Sequence, residues 1–546
     1  MTNQQNNFPS WIKSKGYIHV TPNIDIQRNW KNIYRKVTNP DFVRKYAFYP
    51  LIHSVIKDRK YKKIDPKKSI AVNKKRAHSH KNISTGKVKS AAKERPLHYA
   101  THFDSIIYAY YASILQEKYE KKLNLRSGLS ACVTAYRKLK IIPELEDQVK
   151  GNGKSTIHFA KEVFDEIKLR SITKDVAVLA FDIKSFFSSL NHERLKKVWE
   201  YIIDVEELPP DHLAVFKAST QFSYILLDDL RIKKRKNNRK SGFDERKLSN
   251  IRKTQGHKCF FESNKDFRDN IKNGNLRIHK HPFYNKEKKT IMGIPQGLPN
   301  SAILANMYLL DFDIEIFKNL VIKSDCFYRR YSDDIILICN IKQIESVKSF
   351  VEKQMLENLV EISKDKTEIF HFKNICFNKK GENRLTSFKL VDDELKESPL
   401  VYLGFEFRGY NTVIKSANIA KYYRRIITII KRRAKRAYKS SQSNPFQKKA
   451  IYKNQIKKLY RSIPKKQDLG NENKLTPKTR KILKLNDKGE FHFENSNSKF
   501  KHNSNYFSYL KRVAIIMEDE KITNQLRKSK HIVNSAIRKS LDKNFD

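Results

Sequence analysis

The 546-residue chain is short of several things, and each shortage closes off a class of protein. It has five cysteines, Cys132, Cys259, Cys326, Cys339 and Cys376, an odd number with no Cys-x-x-Cys pair. That argues against a disulfide framework and a cysteine zinc site, and for a reducing cytosol. The pairs His78/His80 and His279/His281 have no acidic or cysteine company, so they are too sparse for a metal centre. No apolar run reaches the ~18 residues of a membrane span, and the N-terminus lacks the apolar core of a secretory leader. A soluble, cytoplasmic protein with no membrane partner is expected. Gly151-Asn152-Gly153-Lys154-Ser155 lacks the full spacing and the preceding buried strand of a phosphate loop. The largest deficit is of negative charge: 58 Asp and Glu stand against 112 Lys and Arg, a net +54. Such an excess is the electrostatic footprint of a polyanion binder. Codon bias in an A/T-rich genome also enriches Lys, Asn and Ile, yet repulsion on this scale opposes compaction unless counter-charge is supplied. Bound nucleic acid would supply it.

What is present centres on Phe327-Tyr328-Arg329-Arg330-Tyr331-Ser332-Asp333-Asp334, followed by Ile335-Ile336-Leu337-Ile338. The pattern predicts two short strands with Tyr331 to Asp334 at the turn. Acids between largely buried strands are costly unless a cation sits there; a solvated acidic turn is the plain alternative. Oxygen ligands without a nearby histidine suit a hard cation, Mg²⁺ before Zn²⁺. Upstream, Asp175 to Ile183 is an apolar run of strand length ending near Asp182, as in a strand buried on both faces. Asp182 at that strand end could meet Asp333 across a sheet. Two Mg²⁺ ions bridging such carboxylates are the recurrent device for in-line nucleotidyl transfer, one activating the attacking 3′-oxygen and the other steadying the pyrophosphate. Between the two acids in sequence lies a Gly/Pro-rich loop, Gly293-Ile294-Pro295-Gln296-Gly297-Leu298-Pro299-Asn300-Ser301. It leads into a helical pattern from Ala302 to Phe317.

Phe181-Asp182-Ile183-Lys184-Ser185-Phe186-Phe187, Pro295-Gln296-Gly297 and Tyr331-Ser332-Asp333-Asp334 resemble motifs A, B and C of reverse transcriptases, in order. Ile362 to Glu368 resembles motif D, and Tyr402 to Phe407 the strand-forming motif E. Together they mark out a fingers-palm core of about 95 to 410. The resemblance implies an α+β, right-hand polymerase fold: fingers, a palm with an antiparallel sheet, and a helical basic thumb and C-terminal region. It implies an RNA-directed DNA polymerase, a nucleotidyltransferase that takes dNTPs, makes DNA and uses two Mg²⁺ ions, with Mn²⁺ as the substitute. Asp182, Asp333 and Asp334 would be the catalytic acids that hold the metals, with the Ile183 carbonyl as an extra ligand. Phe187, five after Asp182, would lie under the sugar, where its ring collides with a ribose 2′-hydroxyl; a core Phe with no gating role is the alternative. Gly293, Pro295, Gln296 and Gly297 would floor the nascent base pair. Arg137 is the candidate triphosphate clamp of the fingers. Lys366 either protonates the leaving pyrophosphate or is a plain surface lysine. Arg329 and Arg330 beside motif C, and Arg424 and Arg425 on a basic helix, are the expected nucleic-acid contacts.

Around these motifs, residues 1–94 read as an N-terminal basic extension, 95–410 as the fingers-palm core and 411–546 as the helical basic thumb and C-terminal region. The extension is strongly basic from Lys57 to Lys93, either a mobile nucleic-acid-binding arm or a solvated loop. Helical spacing begins after Arg95-Pro96-Leu97-His98-Tyr99-Ala100, and its Tyr108/Tyr111 stripe is read as core. A basic insertion at about 231–290 lengthens the interval between motifs A and B and is placed near the template path. Helices are expected over 418–439, 446–462 and 506–517, with a long polar linker over 464–505. A basic amphipathic helix can bind membranes, but a position after the palm matches a thumb gripping a duplex. No endonuclease, zinc-tail, ribonuclease H or integrase signature is visible, which disfavours mobile-element and retroviral types. The long interval between motifs A and B, the lead-in from Arg95 to His102 and the basic helical tail resemble bacterial antiviral defence-associated reverse transcriptases, near the abortive-infection enzymes. That resemblance implies a companion structured non-coding RNA as template or scaffold, and frequently a homo-oligomer. A retron-type or other domesticated reverse transcriptase, and a non-polymerising RNA-binding scaffold, stay open.

Overall fold

The computed structural model describes residues 8–59, 79–81, 88–90, 92–141, 153–232, 242–285, 290–363, 367–376, 382–391, 394–443, 456, 459, 480–485, 491–496 and 505–545. The fold is mixed α+β. The chain forms two compact units, each assembled from three stretches: residues 1–137, 180–337 and 345–367 in the first, and 138–179, 338–344 and 368–546 in the second.

In the first unit the helix His102–Asn124 starts where the Thr101 hydroxyl accepts the Asp104 N–H at 3.2 Å, an N-cap that satisfies one orphan donor. It buries Tyr108, Tyr111, Leu115, Tyr119 and Leu123 at steps of three and four, so the tyrosine stripe is core, as its spacing predicts. Each large apolar side chain so buried contributes about 1.5–3 kcal/mol. Asp104, on the same helix, accepts from the Tyr46 hydroxyl at 2.7 Å and the Tyr49 N–H at 3.0 Å. Burial raises its pKa to about 6.

The flanks of the segment expected to be an arm are sheet. Leu51–Arg59 pairs antiparallel with Ala92–Tyr99, from Ile52 opposite Tyr99 to Arg59 opposite Ala92, and parallel with Tyr224–Leu226. The basic insertion is also folded where it is described. It carries the helices Glu245–Gln255 and Asn264–Lys272. Its Phe260, Phe261, Phe267 and Leu276 close a core with Val20, Ile52 and Ile225, so apolar residues anchor a segment whose sequence reads as charge. The same unit holds Phe327–Tyr331, hydrogen bonded to Asp334–Asn340, which lies beside the end of Val176–Asp182. The helical pattern from Ala302 appears as Ser301–Tyr308 and Leu310–Ile316, interrupted at Leu309.

In the second unit, Glu394–Glu397, Asn383–Val391, Glu368–Cys376 and the start of Val176–Asp182 lie in that order in a sheet. Phe407, in the three-stranded sheet of Leu400–Tyr402, Phe405–Phe407 and Thr412–Ile414, stacks on Phe164 at 4.5 Å and lies 5.5 Å from Phe372. The edge strand Thr412–Ile414 has its backbone N–H groups taken by side chains: Thr412 donates to Asp519 at 2.8 Å, and Ile414 to Gln525 at 2.9 Å. The long helix Ser416–Ser443 buries Ile426 and Ile430 against Ile456, Val533 and Ile537. The helix expected at 506–517 is Tyr506–Met517. The expected linker holds a hairpin instead, Arg480–Leu485 against Phe491–Ser496. Of the helix expected at 446–462, only Ile456 and Leu459 lie within the described residues. Among the described residues no helix is long and apolar enough to cross a membrane.

Candidate active site

Asp182 is the last residue of its strand, and Asp333 and Asp334 sit at the turn between Phe327–Tyr331 and Asp334–Asn340. The backbone brings them together. The Ile183 N–H donates to the Asp333 carbonyl at 3.3 Å, and the Asp182 carbonyl accepts from the Ser363 N–H at 2.9 Å. Ile183 is buried, while Asp182 is half-buried and Asp334 exposed. Solvent can therefore hydrate charge at the very ends of strands whose interiors are apolar. The donors are oxygens only, which suits a hard divalent cation. Among the described residues no three His, Cys, Asp or Glu side chains are gathered closely enough to hold a metal ion. A cation such as Mg²⁺, which keeps several waters and is held by one or two carboxylates plus substrate phosphates, requires no such preformed cage.

The turn itself is strained and braced. Ser332 has φ 60°, a left-handed conformation that costs a non-glycine residue about 1–2 kcal/mol. Its carbonyl accepts from Arg330 Nη1 at 3.2 Å. Arg330 is wholly buried and paired with the equally buried Asp313, Nε to Oδ1 at 2.7 Å and Nη2 to Oδ2 at 2.5 Å. The Tyr328 hydroxyl donates to the same carboxylate at 2.6 Å. Burial pulls the guanidinium pKa down and Asp313 more than reverses it, so the net shift is upward. Arg330 is therefore not a nucleic-acid contact: alternation along the strand sends it inward, and it props the turn from beneath. Arg329 points to the other face, half-buried, with its guanidinium 4.2 Å from the Phe327 ring.

The loop that follows motif A is fixed to the Gly/Pro loop by backbone. Gly293 N–H donates to Leu190 at 2.7 Å and Ile294 N–H to Phe187 at 2.7 Å. Only glycine fits at 293: φ is +73°, and a Cβ would stand 2.5 Å from the Ser188 carbonyl oxygen. Gly297 is similar, with φ +123° and a Cβ position 2.5 Å from the His98 oxygen. The His98 N–H in turn donates to Gln296 at 2.9 Å, and His192 Nε2 donates to the Gly293 carbonyl at 2.7 Å. Phe187 is half-buried beside the buried Phe186, and Gln296 is half-buried. Phe187, Gln296 and Gly297 are thus linked, through one another's backbone, to the strand that ends in Asp182.

One more expected residue, Arg137, is placed otherwise. Arg137 cannot clamp a triphosphate from where it lies. Its side chain is buried, with Nε donating to Glu120 at 2.8 Å, Nη2 to Ser130 Oγ at 2.8 Å, and Nη1 to the Val133 carbonyl at 2.5 Å. Arg424 and Arg425 belong to the second unit, on Ser416–Ser443; Arg424 Nε turns back to the Ala420 carbonyl at 3.1 Å and Arg425 is exposed. Lys366 lies outside the described residues. Sequence reasoning missed Asp313, Asn306 and Tyr136. Asp313 and Asn306 serve Arg330 from the Ser301–Tyr308 and Leu310–Ile316 helices. Tyr136 has its ring 6.3 Å from that of Tyr331. Partial burial, then Tyr136 and Asp334, raise the Tyr331 hydroxyl pKa.

No curated protein matches the chain. Among solved structures, it is similar to apo telomerase from Candida tropicalis truncated from its C-terminal domain, at 10% identity over 60% of this chain and 53% of that one, TM-score 0.34. It is also similar to telomerase from Candida albicans in complex with a fragment of telomeric RNA, at 11% identity over 75% and 54%, TM-score 0.34. The chain thus spans about half the length of these proteins. The family model for reverse transcriptase (RNA-dependent DNA polymerase) matches residues 249–407. The span takes in Gly293 to Gly297 and the Asp333-Asp334 turn, and begins inside the folded insertion, within the helix Glu245–Gln255, so that Asp182 lies outside it. The chain carries a reverse transcriptase domain.

Proposed function

We propose that the protein is an RNA-directed DNA polymerase of bacterial antiviral defence, built as a right hand and working with a companion structured non-coding RNA. The observation that carries the polymerase reading is the joining of Asp182 to the Asp333-Asp334 turn through the Ile183 N–H and the Asp333 carbonyl. Asp182, Asp333 and Asp334 would hold two Mg²⁺ ions, with Mn²⁺ as substitute, whose charge activates the 3′-oxygen and stabilises the leaving pyrophosphate. Phe187 limits the space under the sugar and selects dNTPs, while Gln296 and Gly297 support the nascent pair. Residues 95–410 are assigned to fingers and palm, and 411–546 to the thumb and C-terminal region. Exposed Arg425 on a basic helix and the net +54 support an extended nucleic-acid surface. The defence role rests on the long folded interval between motifs A and B and the basic helical tail.

The test is to purify the full chain from its native host, wash at high salt, and sequence the RNA retained together with any DNA made on adding dNTPs and Mg²⁺. One dominant structured RNA with DNA complementary to part of it is the expected result. A random RNA population with no DNA product overturns it; one specific RNA without DNA would make the protein a scaffold.

A further inference from the structure

The segment Val133-Thr134-Ala135-Tyr136-Arg137 is pinned on both sides of a single exposed ring. Val133 bridges to Arg330 in parallel, and Thr134 donates to the Arg330 carbonyl twice, from N–H at 2.9 Å and from Oγ1 at 3.0 Å. The Ala135 carbonyl accepts from Asn306 Nδ2 at 2.8 Å, and Arg137 is locked to Glu120. Thr134, Ala135 and Arg137 are buried. Between them Tyr136 has φ 60° and is 52% exposed. A bulky residue rarely adopts this conformation, and such strain persists only where the surroundings over-determine it.

The ring is directed beside Tyr331, one residue before the Ser332-Asp333-Asp334 turn. Phe327, Arg329 and Tyr331 alternate with the buried Tyr328 and Arg330, so they share the outward face of their strand. Tyr136 therefore completes an aromatic row with an arginine inside it, the combination by which proteins hold single strands, rings against bases and cation against phosphate. The row lies on the side of the turn away from the strand ending in Asp182, since Phe327–Tyr331 and Val176–Asp182 flank Asp334–Asn340.

We propose that Tyr136 is a positioning residue for the growing strand, its ring stacking on the nucleotides that lead up to the reacting 3′ end. The proposal rests on the polymerase reading. The test uses full-length protein and a primed template with 2-aminopurine at the penultimate position of the primer. Binding to the wild type should quench the probe. Tyr136→Ala should lose the quench and weaken binding of the primed template about tenfold, within the range of one base–aromatic stack, raising KM with little change in kcat at saturation. Tyr136→Phe should restore both. An Asp333→Ala, Asp334→Ala variant should keep the quench while losing incorporation. If Tyr136→Ala binds and quenches as the wild type does, or if only a probe in the template strand responds, the proposal falls while polymerisation stands. If the wild type neither binds nor extends a primed template, the polymerase reading falls with it.

Discussion

Removing the guanidinium beneath the Ser332-Asp333-Asp334 turn separates what holds the fold from what places the acids. Arg330 and Asp313 are both fully buried and joined by two hydrogen bonds. Arg330→Met leaves the Asp313 carboxylate in the interior with only the Tyr328 hydroxyl to compensate it. Breaking a buried pair in this way costs about 3–5 kcal/mol. At a urea slope of roughly 2–3 kcal/mol per M, the midpoint should fall by about 1–2.5 M. The assay is direct, because Trp11, Trp30 and Trp199 all belong to the first unit and their fluorescence follows its unfolding. Arg330→Met with Asp313→Leu replaces the pair by apolar groups and should recover most of the loss, since a well-packed apolar pair is often as stable as the ion pair it replaces. Nucleotide incorporation should not recover with it, because the bond from Arg330 to the Ser332 carbonyl is gone and φ 60° at Ser332 is no longer braced. A double variant no more stable than the single one would refute the buried-pair argument. A double variant that polymerises as the wild type does would show that the turn needs no prop.

Replacing Asp333 and Asp334 by Ala should abolish incorporation while RNA binding, read by filter retention, stays nearly intact; retained polymerisation would move the active site elsewhere. Phe187→Ala should admit ribonucleotides in a competition assay with small loss of stability, because the ring is only half-buried; unchanged discrimination would make Phe187 a packing residue. Acid should destabilise the first unit. Burial lowers the pKa of His19 and His98 to about 3 and of His281 to about 4. These groups take up protons only on unfolding once pH drops below their ordinary 6.5. Stability is then full above pH 6.5 and lost towards pH 4, by up to about 1.4 kcal/mol per pH unit for each histidine. Asp104, raised to about 6, works the other way as a single group between pH 6 and its ordinary 3.8. A urea midpoint that stays flat from pH 7 to pH 5 would contradict this balance.

The turns that bring Asp182 and Asp333 together were legible because they are local. A strand ending at Asp182, and two strands meeting at Ser332-Asp333, follow from apolar runs of strand length that each stop at an acidic turn. Gly293 and Gly297 announce their loop because no other residue fits there. The arginines were misread for the opposite reason. Arg329-Arg330 looks like one basic patch, but on a strand neighbours face opposite ways, and the partner that pulls Arg330 inward is Asp313 on a helix. Arg137 is likewise claimed by Glu120, seventeen residues upstream. The charge of the insertion hid Phe260, Phe261 and Phe267, and polar composition around 464–505 hid the hairpin of Arg480–Leu485 and Phe491–Ser496.

The interleaving of the two units bears on how the chain is made. Asp182 emerges from the ribosome roughly 150 residues before Asp334, a delay of about 8–30 s at ordinary elongation rates. Stretch 345–367, which supplies the Ser363 N–H to the Asp182 carbonyl, emerges later still. Stretch 138–179 of the other unit has by then waited longer for its partners beyond 368. The first unit cannot finish until residue 367 has emerged, with two stretches of the second already made and waiting, so the two do not fold one after the other as tandem domains do. Cutting the chain anywhere between 138 and 367 therefore divides at least one unit, and deletion series would report misfolding rather than map activity.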